Sequence, residues 1–183
     1  MKKIALFLAE GFEEVEALTP VDVLRRAELK VTTISISNKT AVCGAHNITV
    51  LADQTFESAD FSQFDAIILP GGMPGTNNLN AHPQLKELIL RFASEGKLIG
   101  AICAAPLILG ELNLLDKKEA VCYPGFENRL TGATISKKQS VTDGQFITAN
   151  AIGAAMQFSL NLVSELCGSK VADELARKML VRP

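Results

Sequence analysis

The chain has 183 residues, 48% hydrophobic and 21% charged, which is enough apolar material for a sizeable core and excludes global disorder. Eighteen Lys and Arg stand against twenty Asp and Glu, a net charge of −2. That balance offers no basic field to a phosphate backbone, so a nucleic-acid partner is not expected. One domain over residues 1–183 is expected from the length.

The start, Met1 to Ala9, is basic and then apolar, but Glu10 interrupts it before a signal h-region is complete. No apolar run reaches membrane-spanning length, so a soluble, cytoplasmic protein without a membrane partner is expected. Cys43, Cys103, Cys122 and Cys167 form no C-x-x-C pair, and His46 and His82 are the only histidines. Neither a zinc site nor a disulfide scaffold is therefore expected. Asn38-Lys39-Thr40 and Asn47-Ile48-Thr49 read as chance matches to the glycosylation triplet.

In chain order, Lys3 to Ala9 reads as a strand buried on both faces. A helix ends near Ala27, starting either at Thr19-Pro20 or near Glu13 with a kink at Pro20. Lys30 to Ser37 alternates and is β-branched, hence a strand; Val42 to Leu51 holds two short strands around Gly44-Ala45-His46-Asn47. Phe64 to Leu69 is a buried strand stopped by Pro70-Gly71-Gly72. Pro83 to Ser94 is a helix with Gly96 at its end. Leu98 to Ile102 is a strand running into Cys103-Ala104-Ala105-Pro106 and a helix to about Leu112. Short strands follow near Ala120–Cys122, at Gln139–Thr142 and at Phe146–Ala149, then helices at Ile152–Leu166 and Val171–Leu180. Alternating strands and helices imply an α/β fold, a mostly parallel sheet with helices on both faces. Its ligands belong beyond the carboxyl ends of the strands.

Three loops then carry the chemistry. Cys103 follows a strand and opens a helix among small residues, Ala101, Ala104 and Ala105. A strand-to-helix elbow exposes its middle side chain, and helix amides there favour a thiolate, with a thiol pKa below the free value of about 8.5. Glu16 sits where the chain turns inward, so a buried, protonated carboxyl beside the sulfur is expected, whereas Glu13 and Glu14 read as exposed. In Pro70-Gly71-Gly72-Met73-Pro74-Gly75, the amide of Gly72 is a candidate oxyanion donor, with that of Ala104 as the second. His82 reads as the surface start of a helix and His46 as an exposed hairpin tip, which leaves no histidine for a Cys–His dyad.

Residues 10–17 (EGFEEVEA), 20–27 (PVDVLRRA), 69–72 (LPGG) and 101–106 (AICAAP) occur in that order. Together they resemble the ThiJ/PfpI superfamily, in the DJ-one branch that includes the parkinsonism-associated protein deglycase. The resemblance spans essentially the whole chain. It implies a flavodoxin-like three-layer sandwich, a homodimer, no cofactor and no metal. It also implies Cys103 as an oxidation-sensitive nucleophile, Glu16 as its hydrogen-bonding acid, the amides of Gly72 and Ala104 at the oxyanion, and Gly71 in the substrate pocket. Arg26 matches a basic residue that family dimers bring to the partner's pocket.

Two departures stand out. Ala104 follows the cysteine where protease-like relatives have histidine, which argues against peptidase chemistry. Tyr123 before Pro124 replaces a pocket histidine, with Cys122 beside it, and His46 lies close to the position of a family arginine. The expected activity is glyoxalase- or deglycase-type chemistry on a small reactive carbonyl or glycated group. The alternative is a non-catalytic redox sensor or holdase chaperone in which Cys103 oxidises to the sulfinic acid.

Overall fold

The structure is a computed structural model that describes residues 1–181. Its strands are β1 (Lys3–Leu8), β2 (Lys30–Ser35), β3 (Ala41–Cys43), β4 (Thr49–Leu51), β5 (Gln54–Thr55), β6 (Ala66–Leu69), β7 (Leu98–Ile102), β8 (Glu119–Ala120), β9 (Thr134–Ile135), β10 (Ser140–Asp143) and β11 (Phe146–Ala149). Its α-helices are α1 (Glu14–Arg26), α2 (Gly75–Ala81), α3 (Pro83–Ser94), α4 (Pro106–Glu111), α5 (Ala155–Cys167) and α6 (Ser169–Lys178).

Seven strands form one sheet in the order β10-β11-β7-β6-β1-β2-β5, parallel except for β10, which pairs antiparallel with β11. Period-2 alternation in β1 explains the two cores. Ile4, Leu6 and Leu8 face one side with buried residues of α1, α5 and α6, while Ala5 and Phe7 face the other with those of α2, α3 and α4. A strand sandwiched in this way must be apolar on both faces, which is why β1, β6 and β7 read as unbroken apolar runs. The expected flavodoxin-like α/β sandwich is the observed fold.

The connections set the site. From β1 the chain crosses to β2 on one side of the sheet, and β6 lies on the other side of β1. The β1/β6 boundary is therefore the topological switch point, where a crevice opens beyond the carboxyl ends. Loops 9–13, 70–74 and 103–105 meet there: the N–H of Glu13 donates to Gly71 O, and Gly71 lies against Cys103.

Several boundaries differ from the sequence reading. Of the two starts the sequence offers for α1, the structure has the earlier one: the helix begins at Glu14 and contains Pro20, and Glu13 caps it, its Oε2 accepting the N–H of Glu16 at 2.7 Å. The short elements α2, β5 and β9 carry no periodicity long enough to read; β9 exists because it pairs with β8. Helix α6 ends at Lys178 rather than Leu180, whose φ of +57° is not helical.

Candidate active site at the strand ends

Cys103 has φ = +64°, a left-handed backbone that a non-glycine residue adopts only under constraint. The constraint is two-sided. Its N–H donates to Ala149 O at 2.9 Å, tying it to β11, and its carbonyl accepts the N–H of Tyr123 at 2.7 Å. Ala101, Ala104 and Ala105 are all buried, so bulk at any of them would meet the packed sheet or helices. The side chain is thereby turned out of the sheet into the crevice, half-buried.

Glu16, on the first turn of α1, is 1% exposed. Three hydrogen bonds close a ring around it. Glu13 N–H donates to Gly71 O (2.9 Å), Gly71 N–H to Glu16 Oε2 (3.1 Å), and Glu16 N–H to Glu13 Oε2 (2.7 Å). The ring locks the first turn of α1 to the loop after β6. Gly71 is required there: a Cβ on it would lie 2.5 Å from both Cys103 Cβ and Glu16 Oε2, and 3.1 Å from Cys103 Sγ. Gly72 has φ = +91°, and the amides of Gly72 and Ala104 are close enough to the Cys103 sulfur to favour its thiolate.

Burial pushes the Glu16 carboxyl up to about 7, helped by the charge of Glu13 and opposed by hydrogen bonds from Cys103 and Gly71. Burial also pushes the Cys103 thiol up, to about 12, with the adjacent Glu16 carboxylate adding to it and the amides of Gly72 and Ala104 opposing. The sequence-based expectation of a thiol pKa below 8.5 is thus corrected: desolvation and the neighbouring carboxylate outweigh the two amides. The pair is best described jointly. It loses its first proton near 7 and holds the second until far higher, so at neutral to mildly alkaline pH one proton and one negative charge are shared between sulfur and carboxyl.

The other sequence-predicted residues fall into two groups. Cys122 is buried, with its thiol raised to about 11 by desolvation, and Tyr123 is exposed but fixed to the elbow through its backbone. His46 is carried to the first turn of α1 by the β3–β4 hairpin, where Nδ1 lies 2.8 Å from Glu14 Oε2 and 3.9 Å from Glu13 Oε1. Arg26 is not brought to the site within this chain. It ends α1, ten residues or about 15 Å along the axis from Glu16, and pairs with Asp22 at 2.7 Å. The reading of Glu13 and Glu14 as exposed is also corrected. Glu14 is 4% exposed, its carboxylate bonded by the backbone N–H and the ring of His46, and Glu13 is spent on the cap. That pairing spans 32 residues, and only the hairpin's return to α1 brings it about.

Residues 2–165 match the DJ-1/PfpI family. The chain is 35% identical over 184 residues to protein dj-1beta of Drosophila melanogaster, covering 99% of this chain and 98% of that one. It is 37% identical over 184 residues to protein DJ-1 homolog B of Arabidopsis thaliana, covering all of this chain. It spans only 42% and 47% of the two Arabidopsis relatives' own lengths. A 30% identical relative from Caenorhabditis elegans, matched over 97% of this chain and 96% of its own, is named glutathione-independent glyoxalase DJR-1.2. Among solved structures, Drosophila DJ-1beta superposes with a TM-score of 0.93 at 33% identity, covering 100% and 99% of the two chains. Oxidised Toxoplasma gondii DJ-1 does so at 0.94 and 29%, covering 98% of each. The chain belongs to the DJ-1/PfpI family.

Proposed function

We propose that this protein is a cofactor-free catalyst acting on small reactive carbonyls, methylglyoxal being the type substrate, through the Cys103–Glu16 pair. The observation that carries the reading is a strained, outward-turned sulfur that shares the space beside Gly71 with a buried carboxyl raised to about 7. The ionised carboxyl takes the thiol proton as sulfur attacks the aldehyde carbon. A C–S bond forms, the carbonyl electron pair moves to oxygen, and the amides of Gly72 and Ala104 meet the oxyanion. Glu16, now protonated, returns the proton. The hemithioacetal is built on the protein's own thiol; Glu16 carries its C1 proton to C2, giving a thioester, and water cleaves the C–S bond to release lactate and the free thiol, so no thiol cofactor is needed. The relative named a glutathione-independent glyoxalase supports this chemistry. Tyr123, at a position where an imidazole would be expected, leaves Glu16 as the proton carrier nearest the sulfur.

The reading is tested by following methylglyoxal consumption by the purified chain. Turnover that vanishes in Cys103→Ser and falls at least 100-fold in Glu16→Gln supports it. A folded wild-type protein without turnover overturns it.

A second reading uses the same atoms. The amides of Gly72 and Ala104 and a protonated Glu16 offer three donors to oxygens added to the sulfur, which favours arrest at the sulfinic acid. Mass spectrometry after mild peroxide should show two added oxygens on Cys103 before any on buried Cys122. The reverse order rejects it.

The assembly we propose is a homodimer through α1 and the hairpin. Val15, Leu18 and Ile48 are 44%, 38% and 54% exposed and form one apolar surface with Met156. Arrival of Arg26 at a partner's pocket belongs to the same proposal. Four free cysteines, as found, suit a reducing compartment, and we place the protein in the cytoplasm on that basis.

A further inference from the structure

We propose that Glu111 is a positioning residue for Cys103, tying the helix after the Gly72 loop, the helix after the elbow and the segment that carries Tyr123 into one frame. Its role rests on the carbonyl chemistry proposed for that cysteine. Three backbone pieces meet at the sulfur and then part. The loop with Gly72 enters α2, the elbow enters α4, and Tyr123, whose N–H donates to Cys103 O at 2.7 Å, leads into the turn Glu127–Arg129. Asn80 stands eight residues after Gly72, Glu111 eight after Cys103, and Arg129 six after Tyr123. There the three pieces are joined again. Glu111 Oε2 accepts Asn80 Nδ2 at 2.9 Å, and Glu111 Oε1 accepts Arg129 Nε at 2.6 Å together with Arg129 Nη2.

The junction has costs that its partners offset. Glu111 is the last residue of α4, where a carboxylate faces the negative end of the helix dipole. Asn80 turns its amide N–H to that carboxylate although its own Oδ1 is then buried without a partner among the described residues. Gly110 admits the third piece: a Cβ there would lie 2.6 Å from Leu130 Cα, which is backbone and cannot swing away. Burial works to raise the Glu111 carboxyl, yet hydrogen bonds from Asn80 and Arg129 and the charges of Arg129 and Lys86 hold it below the ordinary 4.5. It stays ionised through the neutral range, and Arg129 grips it with two charge-assisted bonds. The pair is partly exposed, so its effect falls on placement more than on overall stability. The amides of Gly72 and Ala104 lie just before the two helices that Glu111 joins, and they serve one oxyanion only while those helices keep their spacing. Both helices pack on the sheet face opposite α1, so a dimer through α1 leaves the junction uncovered.

The test is Glu111→Ala in the full chain, which removes all three hydrogen bonds at a helix position that alanine suits. Amide exchange followed by NMR should show the Tyr123 N–H exchanging at least 10-fold faster, with that of Gly71, held by Glu16, within about 2-fold of wild type. Alkylation of Cys103 by iodoacetamide should slow at least 5-fold, and kcat for methylglyoxal should fall as much. The inflection near 7 should stay in place, because Glu16 is untouched. Glu111→Gln still reaches Asn80 and Arg129 and should recover most of these losses. Glu174→Ala, which breaks the ion pair of α6 with Lys178, should change none of the readings. Losses that Glu111→Gln does not recover, an inflection that moves, or Tyr123 exchange and alkylation unchanged in Glu111→Ala overturn the proposal. Exchange and alkylation are read without turnover, so a wild-type chain inert toward methylglyoxal rejects the carbonyl reading alone.

Discussion

The N–H of Gly71 donates to Glu16 Oε2 at 3.1 Å, and the missing side chain of Gly71 is the space that Cys103 and Glu16 occupy together. Gly71→Ala inserts a Cβ 2.5 Å from atoms of both residues. The Glu16 carboxylate can shift, but the Cys103 Cβ is held by its backbone and cannot give way. The variant is expected to lose about 1–3 kcal/mol of stability, as an overpacked core does. Iodoacetamide labelling of Cys103 should also slow more than 10-fold, because the carboxyl can no longer face the sulfur. Chemical denaturation and labelling kinetics check the two effects separately. Wild-type labelling in Gly71→Ala would show that the close approach is incidental.

Burial of Glu16 has a cost that varies with pH. Its pKa rises from an ordinary 4.5 to about 7 on folding, so between those values the native state binds more protons than the unfolded one. Stability therefore falls as pH rises from about 4.5 to 7 and levels off above it, by about 3 kcal/mol from this group. Glu16→Gln should remove that slope and be the more stable protein at pH 8, while its turnover is lost. Activity runs the other way, since the ionised carboxyl is the base: kcat/KM for methylglyoxal should rise through an inflection near 7. In Glu16→Gln the inflection for Cys103 alkylation should move above 9, where a buried thiol without a base titrates. Denaturation curves and labelling rates from pH 4 to 10 decide both claims.

Cys103 carries its strain in the backbone. Holding a non-glycine residue at φ = +64° costs of order 1 kcal/mol, a cost that glycine avoids. Cys103→Gly should therefore melt higher than Cys103→Ala, although alanine keeps more packing. Elsewhere in the sheet, replacing a residue by glycine destabilises relative to alanine, so the inverted order is diagnostic. Alanine proving the more stable of the two would mean the elbow is relaxed.

What the sequence made legible follows from the range of the interactions. Strands β1, β6 and β7 are buried on both faces, so their apolar runs announce them; α3 is amphipathic, with Pro83 at its first position, and reads to the residue. Cys103, Gly71 and Gly72 are marked by the strands that end just before them. The charge state of the sulfur was not legible. It depends on how deeply the pair is buried and on a carboxylate 87 positions earlier in the chain, neither of which has a local signature. The role of Glu14 was hidden for the same reason, because its partner arrives on a hairpin from position 46.

The outer face of α1 offers the remaining test. Val15 and Leu18 stand a turn apart on the helix, and Ile48 at the hairpin tip continues their apolar surface. A two-fold contact would place this patch against its own copy, so one substitution acts twice in the dimer. Leu18→Lys sets two ammonium groups near the contact and removes two apolar side chains. Sedimentation velocity should report a dimer for the wild type and a monomer for Leu18→Lys at the same micromolar concentration. The exposed position predicts little change in the monomer's fold, which far-UV circular dichroism checks. If Leu18→Lys sediments as the wild type does, the interface lies on another face. If the separated monomer retains full turnover, the pocket is complete within one chain and Arg26 of a neighbour plays no part in it.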